Sequence, residues 1–382
     1  MSSDRGSSGR PACRGGIARA RTGVPAGMKI VITGATGNLG TALIRTLSKD
    51  QQHELVGLAR RTPEPEDGTA HVQWRSVDLT SDGSTAVLRD AFRGADAVVH
   101  LAWGFQPSHD VAHLEELGVG GTRRVLAAAT AEGVPHLVHM SSVGAYSPKV
   151  DDRRVAEDWA TSGVPGSPYS AHKAAAERLL DRHEADDVLP RVTRMRPGIV
   201  GQRGAGSALL RYGVPGFVPA RAITLLPVLP IDPALAIPMV HADDVADAVA
   251  RALTRAAYGA FNLAAEPPIR PQHLGAALGA RLVDVPSRTL RAAMSASWRA
   301  HVQKLDPGWL DLGMAVPLMD TSRAREVLGW SPTVDAETVL AETVAGMRDE
   351  ASQATPVLRP RTVLGSLGDL VRRGPISRRA RP

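Results

Sequence analysis

Lys29-Ile30-Val31-Ile32-Thr33-Gly34-Ala35-Thr36-Gly37-Asn38-Leu39-Gly40 decides how this chain folds. An apolar run ending at Thr33 reads as a buried strand. A helix is predicted over Asn38–Ser48, with Leu39, Leu43 and Leu47 on one face. Three glycines lie between and into these elements. Gly34 permits a tight turn, Gly37 lets backbone approach a pyrophosphate, and Gly40 allows close helix–strand packing. The helix start, at Thr36, Asn38 and Leu39, offers N–H groups and the positive end of a dipole to phosphates. A glycine triplet alone also fits an ordinary strand-to-helix turn. Strand, spacing and helix together make it a candidate dinucleotide site.

Further strands are predicted at Glu54–Ala59, Val72–Val77, Ala97–Leu101, His136–Ser141 and Arg191–Arg196. Helices fall between them, notably at Thr122–Ala131 and Pro168–Arg182. This alternation predicts an α/β fold with a doubly wound, Rossmann-type parallel sheet. After Pro197 the pattern breaks into Gly/Pro-rich pieces and short helices. The expected organisation is a tail over 1–27, a dinucleotide-binding domain over 28–197, a smaller substrate-binding region with returning sheet elements over 198–350, and an Arg-rich tail over 351–382.

The 382 residues are 43% apolar and 22% charged, enough for a sizeable core. Net charge is +6, but residues 1–27 carry +4 and residues 355–382 carry +6, leaving −4 for the rest. Basicity confined to the tails argues against a nucleic-acid-binding core. The single cysteine, Cys13, excludes an intrachain disulfide or a multi-cysteine metal site. The N-terminal stretch lacks the apolar run of a secretory signal and reads as disordered, and Ala222–Val240 holds too many prolines to span a membrane. A cytoplasmic protein is the expectation. The run Val363-Leu364, Leu367, Leu370-Val371, followed by Arg372-Arg373, reads as a solvated tail or as a weak contact with an anionic surface.

The second strand ends in Ala59-Arg60-Arg61, where a carboxylate would hold a ribose 2′-hydroxyl. Two guanidiniums suit a 2′-phosphate instead, which leans toward NADP(H) over NAD(H), unless Arg60 stacks on adenine. Asp78-Leu79 follows the third strand, over the adenine position or as a helix-start acid. Tyr169 and Lys173 lie four apart on a helix and share a face. A nearby ammonium is expected to lower the phenol's pKa and make Tyr169 an acid/base. Ser141-Ser142 ends the fifth strand, where a hydroxyl can hold a reacting oxygen.

Together these residues resemble the short-chain dehydrogenase/reductase superfamily, and within it the extended branch, the NAD-dependent epimerase/dehydratase family. The resemblance covers roughly 28–348 and includes His100-Leu101-Ala102, Arg196-Pro197-Gly198, Met239–Val245 and Leu328-Gly329-Trp330. It implies Ser142 rather than Ser141 as the catalytic hydroxyl, beside Tyr169 and Lys173. It also implies Lys173 on the nicotinamide ribose, Pro197 beside the nicotinamide, Leu101 and Ala102 lining the cofactor through backbone, and a homodimer.

Two positions depart from that pattern. Gly118 stands where the family has an Asn that supports a proton relay, and Trp103 replaces a small residue, so the substrate pocket is narrower or lined by an indole. The acidic pair of the sugar dehydratases is replaced by Val143-Gly144, which disfavours dehydration. Arg203, Arg211, Arg221 and Arg291 could clamp a diphosphate or simply be solvated. Asp243 and Asp244 read as helix caps and His241 as a packed residue, with no metal expected. Three functions follow: hydride transfer within the epimerisation of a nucleotide sugar, NADPH-linked reduction of a small carbonyl compound, or a non-catalytic NADP-sensing regulator.

Overall fold

The computed structural model describes residues 27–49, 52–64, 69–104, 109–213, 220–225, 227–300 and 305–360. Residues 1–26, with Cys13, and the amphipathic run at 363–371 lie outside the described residues.

Seven strands form one parallel sheet: β1 (Lys29–Thr33), β2 (Glu54–Ala59), β3 (Val72–Ser76), β4 (Ala97–His100), β5 (His136–Met140), β6 (Arg191–Pro197) and, after three strands outside this sheet, β10 (Gly259–Leu263). Their order is β10-β6-β5-β4-β1-β2-β3. The chain runs outward from β1 to β3, then crosses to β4 on the other side of β1. That reversal opens a crevice at the carboxyl ends of β1 and β4, where ligands of doubly wound sheets bind. The fold is Rossmann-type α/β, as the strand–helix alternation predicts.

Period-two alternation sorts each strand between two cores. Ile30 and Ile32 of β1 face one apolar cluster, and Val31 faces the other. The first cluster is covered by α1 (Asn38–Leu47) and α7 (Ala242–Arg255), the second by α2 (Ser84–Phe92) and α4 (Gly121–Ala131). A short α3 (Val111–Glu115) leads through one wide π-type turn, Glu116–Gly120, into α4. α5 (Pro168–Ala185) runs one turn past its predicted end; it opens with Ser167 capping the Ser170 amide and Pro168 in its first turn.

Beyond β6 come β7 (Ile199–Gly201), α6 (Gly206–Gly213), β8 (Val228–Ile231), β9 (Ile237–His241) and β11 (Ala265–Ile269). α8 (Pro271–Leu278), β12 (Arg281–Asp284) and α9 (Ser287–Arg299) follow, then α10 (Gly308–Ala315), α11 (Ser322–Leu328) and α12 (Ala336–Arg348). β11, β9 and β7 form a small sheet, and β12 pairs with β8. Of the proline-rich 222–240 stretch, Ile237 and Met239 reach the crevice.

Asp244 corrects the capping expectation. It is not a helix cap: buried, it accepts hydrogen bonds from the Thr333 amide and hydroxyl and from the Val334 amide. His241 caps α7 instead, accepting from the Asp243 amide, while Asp243 pairs with Arg45 at 2.6 Å.

The segment 351–360 packs against the body of the fold. This first part of the stretch assigned to the Arg-rich tail folds back as a strap. Leu358 is 1% exposed and packs on Ala205 and Ala208, so an apolar contact outweighs the basic composition around it. The Ser207 amide donates to the Ala351 carbonyl at 2.8 Å, and the Arg211 guanidinium donates to the carbonyls of Val357 and Arg359.

Candidate active site

A cavity of about 590 Å³ follows the carboxyl edge of the sheet. It begins at the glycine turn. Gly34 has φ +72°, and a Cβ there would lie 2.7 Å from the Ala102 amide nitrogen. At Gly40 a Cβ would sit 2.5 Å from the Ala35 carbonyl. Glycine is required at both, by backbone conformation and by close approach. Gly37 precedes α1 in extended conformation and has no side chain to fill the space before the helix. Asn38, Leu39 and Gly40 contribute the amides that a helix start leaves unpaired. The Asn38 carbonyl and side-chain oxygens accept from Gln202. The Thr36 carbonyl accepts from the Thr355 hydroxyl of the strap at 2.8 Å.

Arg60 and Arg61 line the same cavity beyond β2. Burial lowers the Arg60 pKa, against the pull of Asp78, and its buried Nε has no hydrogen-bond partner. Asp78 lines the wall with Leu79. Burial pushes its carboxyl up, but the Thr80 amide and hydroxyl, with Arg60, bring it below the usual range. Leu101 and Ala102 follow β4, their amides turned toward Thr33, and Pro197, which closes β6, also lines the cavity.

Ser142, Tyr169 and Lys173 come together at the centre. The two serines that end β5 part here. Ser141 donates to buried Glu177 at 2.5 Å, whereas Ser142 accepts from the Gly144 amide at 3.0 Å and lies on the Tyr169 side, where it pulls the phenol's pKa down. Ser170, next to Tyr169, donates to the Gly144 carbonyl and accepts from the Val164 amide, which locks the start of α5 against this turn. Glu177 anchors α5 from behind, bound to Arg196 through two hydrogen bonds and to Arg194 at 2.8 Å. Burial pushes the Glu177 carboxyl up, but the guanidiniums and Ser141 outweigh it and hold the pKa at about 2.

Lys173 donates to the Met140 carbonyl at 2.8 Å, and its ammonium lies 3.5 Å from the centre of the Trp103 ring. Burial lowers its pKa to about 7, with Glu177 opposing. Tyr169 corrects the direction argued from the Tyr–Lys spacing. Its pKa is raised to about 12, because burial outweighs the Ser142 hydrogen bond. The Lys173 ammonium is 6.0 Å from the phenol ring and does not offset that burial. In this state Tyr169 is a protonated donor, not a tyrosinate.

The far end is aromatic and apolar. Trp309, on α10, lies 5.2 Å from the Tyr169 ring at 31°, and Trp103 meets Tyr169 edge-on at 6.5 Å. Of the four arginines considered for a diphosphate clamp, none lines the cavity. Arg203 pairs with Asp349, Arg291 with Asp311, and Arg211 holds the strap. Reading by motif missed Trp309 and the strap. Trp309 sits in an ordinary apolar helix, and Thr355 lies in a stretch whose composition reads as tail. Trp103 and Gly118 were visible as departures but not as neighbours.

Comparison with known proteins places these features. The family model described as "NAD dependent epimerase/dehydratase family" matches residues 30–264. An uncharacterized protein of Mycobacterium tuberculosis is 28% identical over 324 residues, which cover 84% of this chain and 30% of that protein. The chain thus spans less than a third of the length of that relative. A 2-alkyl-3-oxoalkanoate reductase of Stenotrophomonas maltophilia is 34% identical over 186 residues, 45% of this chain and 51% of that one. Among solved structures, a UDP-glucose-4-epimerase from Stenotrophomonas maltophila with bound NAD superposes at TM-score 0.63 and 20% identity, covering 84% of this chain and 98% of that one. That likeness is one of fold. With the family model matched across the sheet and the crevice, this chain belongs to the NAD-dependent epimerase/dehydratase family.

Proposed function

We propose that this protein is an NAD(P)-linked oxidoreductase acting at a carbonyl or carbinol carbon, with Ser142, Tyr169 and Lys173 as its catalytic residues. The observation that carries this reading is the convergence of Ser142, Tyr169 and Lys173 in the same cavity as the glycine turn. A nicotinamide cofactor would supply or accept the hydride. The residues fit such a group: Gly34, Gly37 and Gly40 leave room for its pyrophosphate at the start of α1, with Leu101, Ala102 and Pro197 along the wall. The unpaired, buried Nε of Arg60 matches a 2′-phosphate, which supports NADP(H).

In the reductive direction Ser142 donates a hydrogen bond to the substrate oxygen and orients the carbonyl. Tyr169, protonated through the neutral range, transfers its hydroxyl proton to that oxygen as the carbon receives hydride. The product is an alcohol. Lys173 holds positive charge beside the phenol and favours the tyrosinate so formed. The Arg60 argument and the absence of Arg203, Arg211, Arg221 and Arg291 from the cavity wall support net reduction over epimerisation of a nucleotide sugar.

The test starts from purified protein. Mass spectrometry identifies any retained nucleotide, and the emptied protein is titrated with NADPH and NADH. An empty site preferring NADPH is expected; tightly retained NAD⁺ would point to a cofactor recycled in place and to epimerisation. Tyr169→Phe is expected to cut turnover by about a thousandfold while leaving cofactor affinity within a few-fold. Unchanged turnover in that variant would remove Tyr169 from the chemistry.

A further inference from the structure

The end of the cavity beyond Tyr169 identifies what the site takes. Trp309 and Trp103 both adjoin the phenol, the first tilted 31° to it and the second edge-on. Val143, Leu312 and Val316 continue the wall. Among the described lining residues the basic groups besides Lys173 are Arg60, Arg61 and His113. Arg60 and Arg61 lie past β2 at the nucleotide end, and His113 acts on Asp78 there. Lys173 is buried against the Met140 carbonyl and the Trp103 ring.

Trp103 is a fixed wall. A Cβ on Gly118 would come 3.0–3.2 Å from three atoms of its indole, so the ring fits because position 118 carries no side chain. The Lys173 ammonium over its face holds the ring in that orientation.

We infer that the substrate is an uncharged, ring-bearing ketone or the corresponding alcohol, seated against Tyr169 between Trp103 and Trp309, which determine its specificity. This rests on the oxidoreductase reading above. A fourth ring stacks or meets edge-on at the same centroid separations that these three rings already adopt. Burying a diphosphate here would strip its water without a facing cation among the described residues. An open-chain polar substrate would leave the indoles half wetted. The reaction balances without a further co-reactant: hydride from the cofactor reaches the carbonyl carbon, and the Tyr169 proton, later replaced from solvent, reaches its oxygen.

The experiment uses the full chain saturated with oxidised cofactor, so that a ketone binds without turnover. 2-Tetralone and UDP-glucose are titrated separately by calorimetry. 2-Tetralone is expected to bind and UDP-glucose to fail at tenfold higher concentration. Trp309→Ala is expected to weaken 2-tetralone by about tenfold, and Trp309→Phe, which keeps a ring, by no more than about threefold. Thermal melts of both variants check that the fold is kept, and if Trp309→Ala does not fold, Trp309→Leu takes its place. Tighter binding of UDP-glucose, binding of neither compound, or indifference to loss of the ring at 309 would overturn the inference.

Turnover separates the two readings. If 2-tetralone binds as described but oxidises neither NADPH nor NADH, the oxidoreductase reading fails and the ligand class stands. If UDP-glucose is turned over while 2-tetralone does not bind, the class fails and the oxidoreductase reading stands.

Discussion

The two ends of the cavity are built by different means. At the nucleotide end, Gly34 to Gly40 and the Arg60 and Asp78 strand ends come from one stretch of chain, and recognition is mostly backbone. At the other end, Trp103, Gly118, Tyr169 and Trp309 come from four separate segments, and side chains make the surface. A backbone-made site constrains glycines at fixed spacing. A site made of side chains constrains only which surfaces meet, and many sequences satisfy that.

Four changes would break or sharpen this contrast, taken from the largest effect to the smallest. Gly34→Ala combines a φ of +72° with a Cβ 2.7 Å from the Ala102 amide. It is expected to weaken cofactor affinity by about a hundredfold and to lower the melting temperature. Fluorescence titration checks it, and wild-type affinity would show that the turn relaxes and that its backbone geometry is not what binds.

Glu177→Gln removes the buried carboxylate behind both Ser141 and α5. The variant is expected to lose about 3 kcal/mol of stability in denaturant unfolding. The sign in acid follows from the same group. Its folded pKa of about 2 lies below the ordinary 4.5, so the stabilisation is present above pH 4.5 and is lost as pH falls toward 2. An unchanged acid transition in Glu177→Gln would detach the carboxylate from the wall it is meant to brace.

On the proposed reading Lys173 is expected to set the pH profile. Its pKa of about 7 means the ammonium is present below neutrality and lost above, while Tyr169, at about 12, stays protonated throughout. Reductive kcat/KM is expected to fall with rising pH around 7, and the limb to move well upward in Lys173→Arg, whose guanidinium keeps its charge. A limb that stays put in the variant would assign the ionisation elsewhere.

Thr355→Val deletes one hydrogen bond from the strap to the glycine turn, worth about 1 kcal/mol. Cofactor dissociation in stopped flow is expected to quicken about fivefold. An unaltered rate would make the strap a bystander at the nucleotide end.

Much of this was legible in the chain. β1, β2 and the start of α1 were read with their observed bounds, because buried strands and a glycine-marked helix start are local signals. Tyr169 and Lys173 are legible by their spacing on one helix, and Ser142 by the family resemblance. The direction of the Tyr169 pKa is not. Helical spacing reports that Lys173 is near but says nothing of burial, and burial dominates once the phenol is enclosed. Asp244 was misread for a similar reason. A carboxylate at a helix start looks like a cap, and only the arrival of Thr333 and Val334 shows what it holds.

What the sequence determined by itself is the α/β class, the doubly wound sheet, the glycine turn between β1 and α1 and the Tyr169–Lys173 pair on one helix face. Each follows from periodicity, from glycine geometry or from residues a few positions apart, all properties of short stretches. Ser142 over Ser141 is what the family resemblance implies. Tertiary structure alone decided that Ser141 serves Glu177 while Ser142 serves Tyr169. It also decided that Trp103 lies over Gly118 and Lys173, that Trp309 reaches Tyr169, and that Thr355 returns to Thr36 across most of the chain. Those contacts depend on how separate segments pack. Packing is settled by the burial of whole surfaces, which no local stretch encodes.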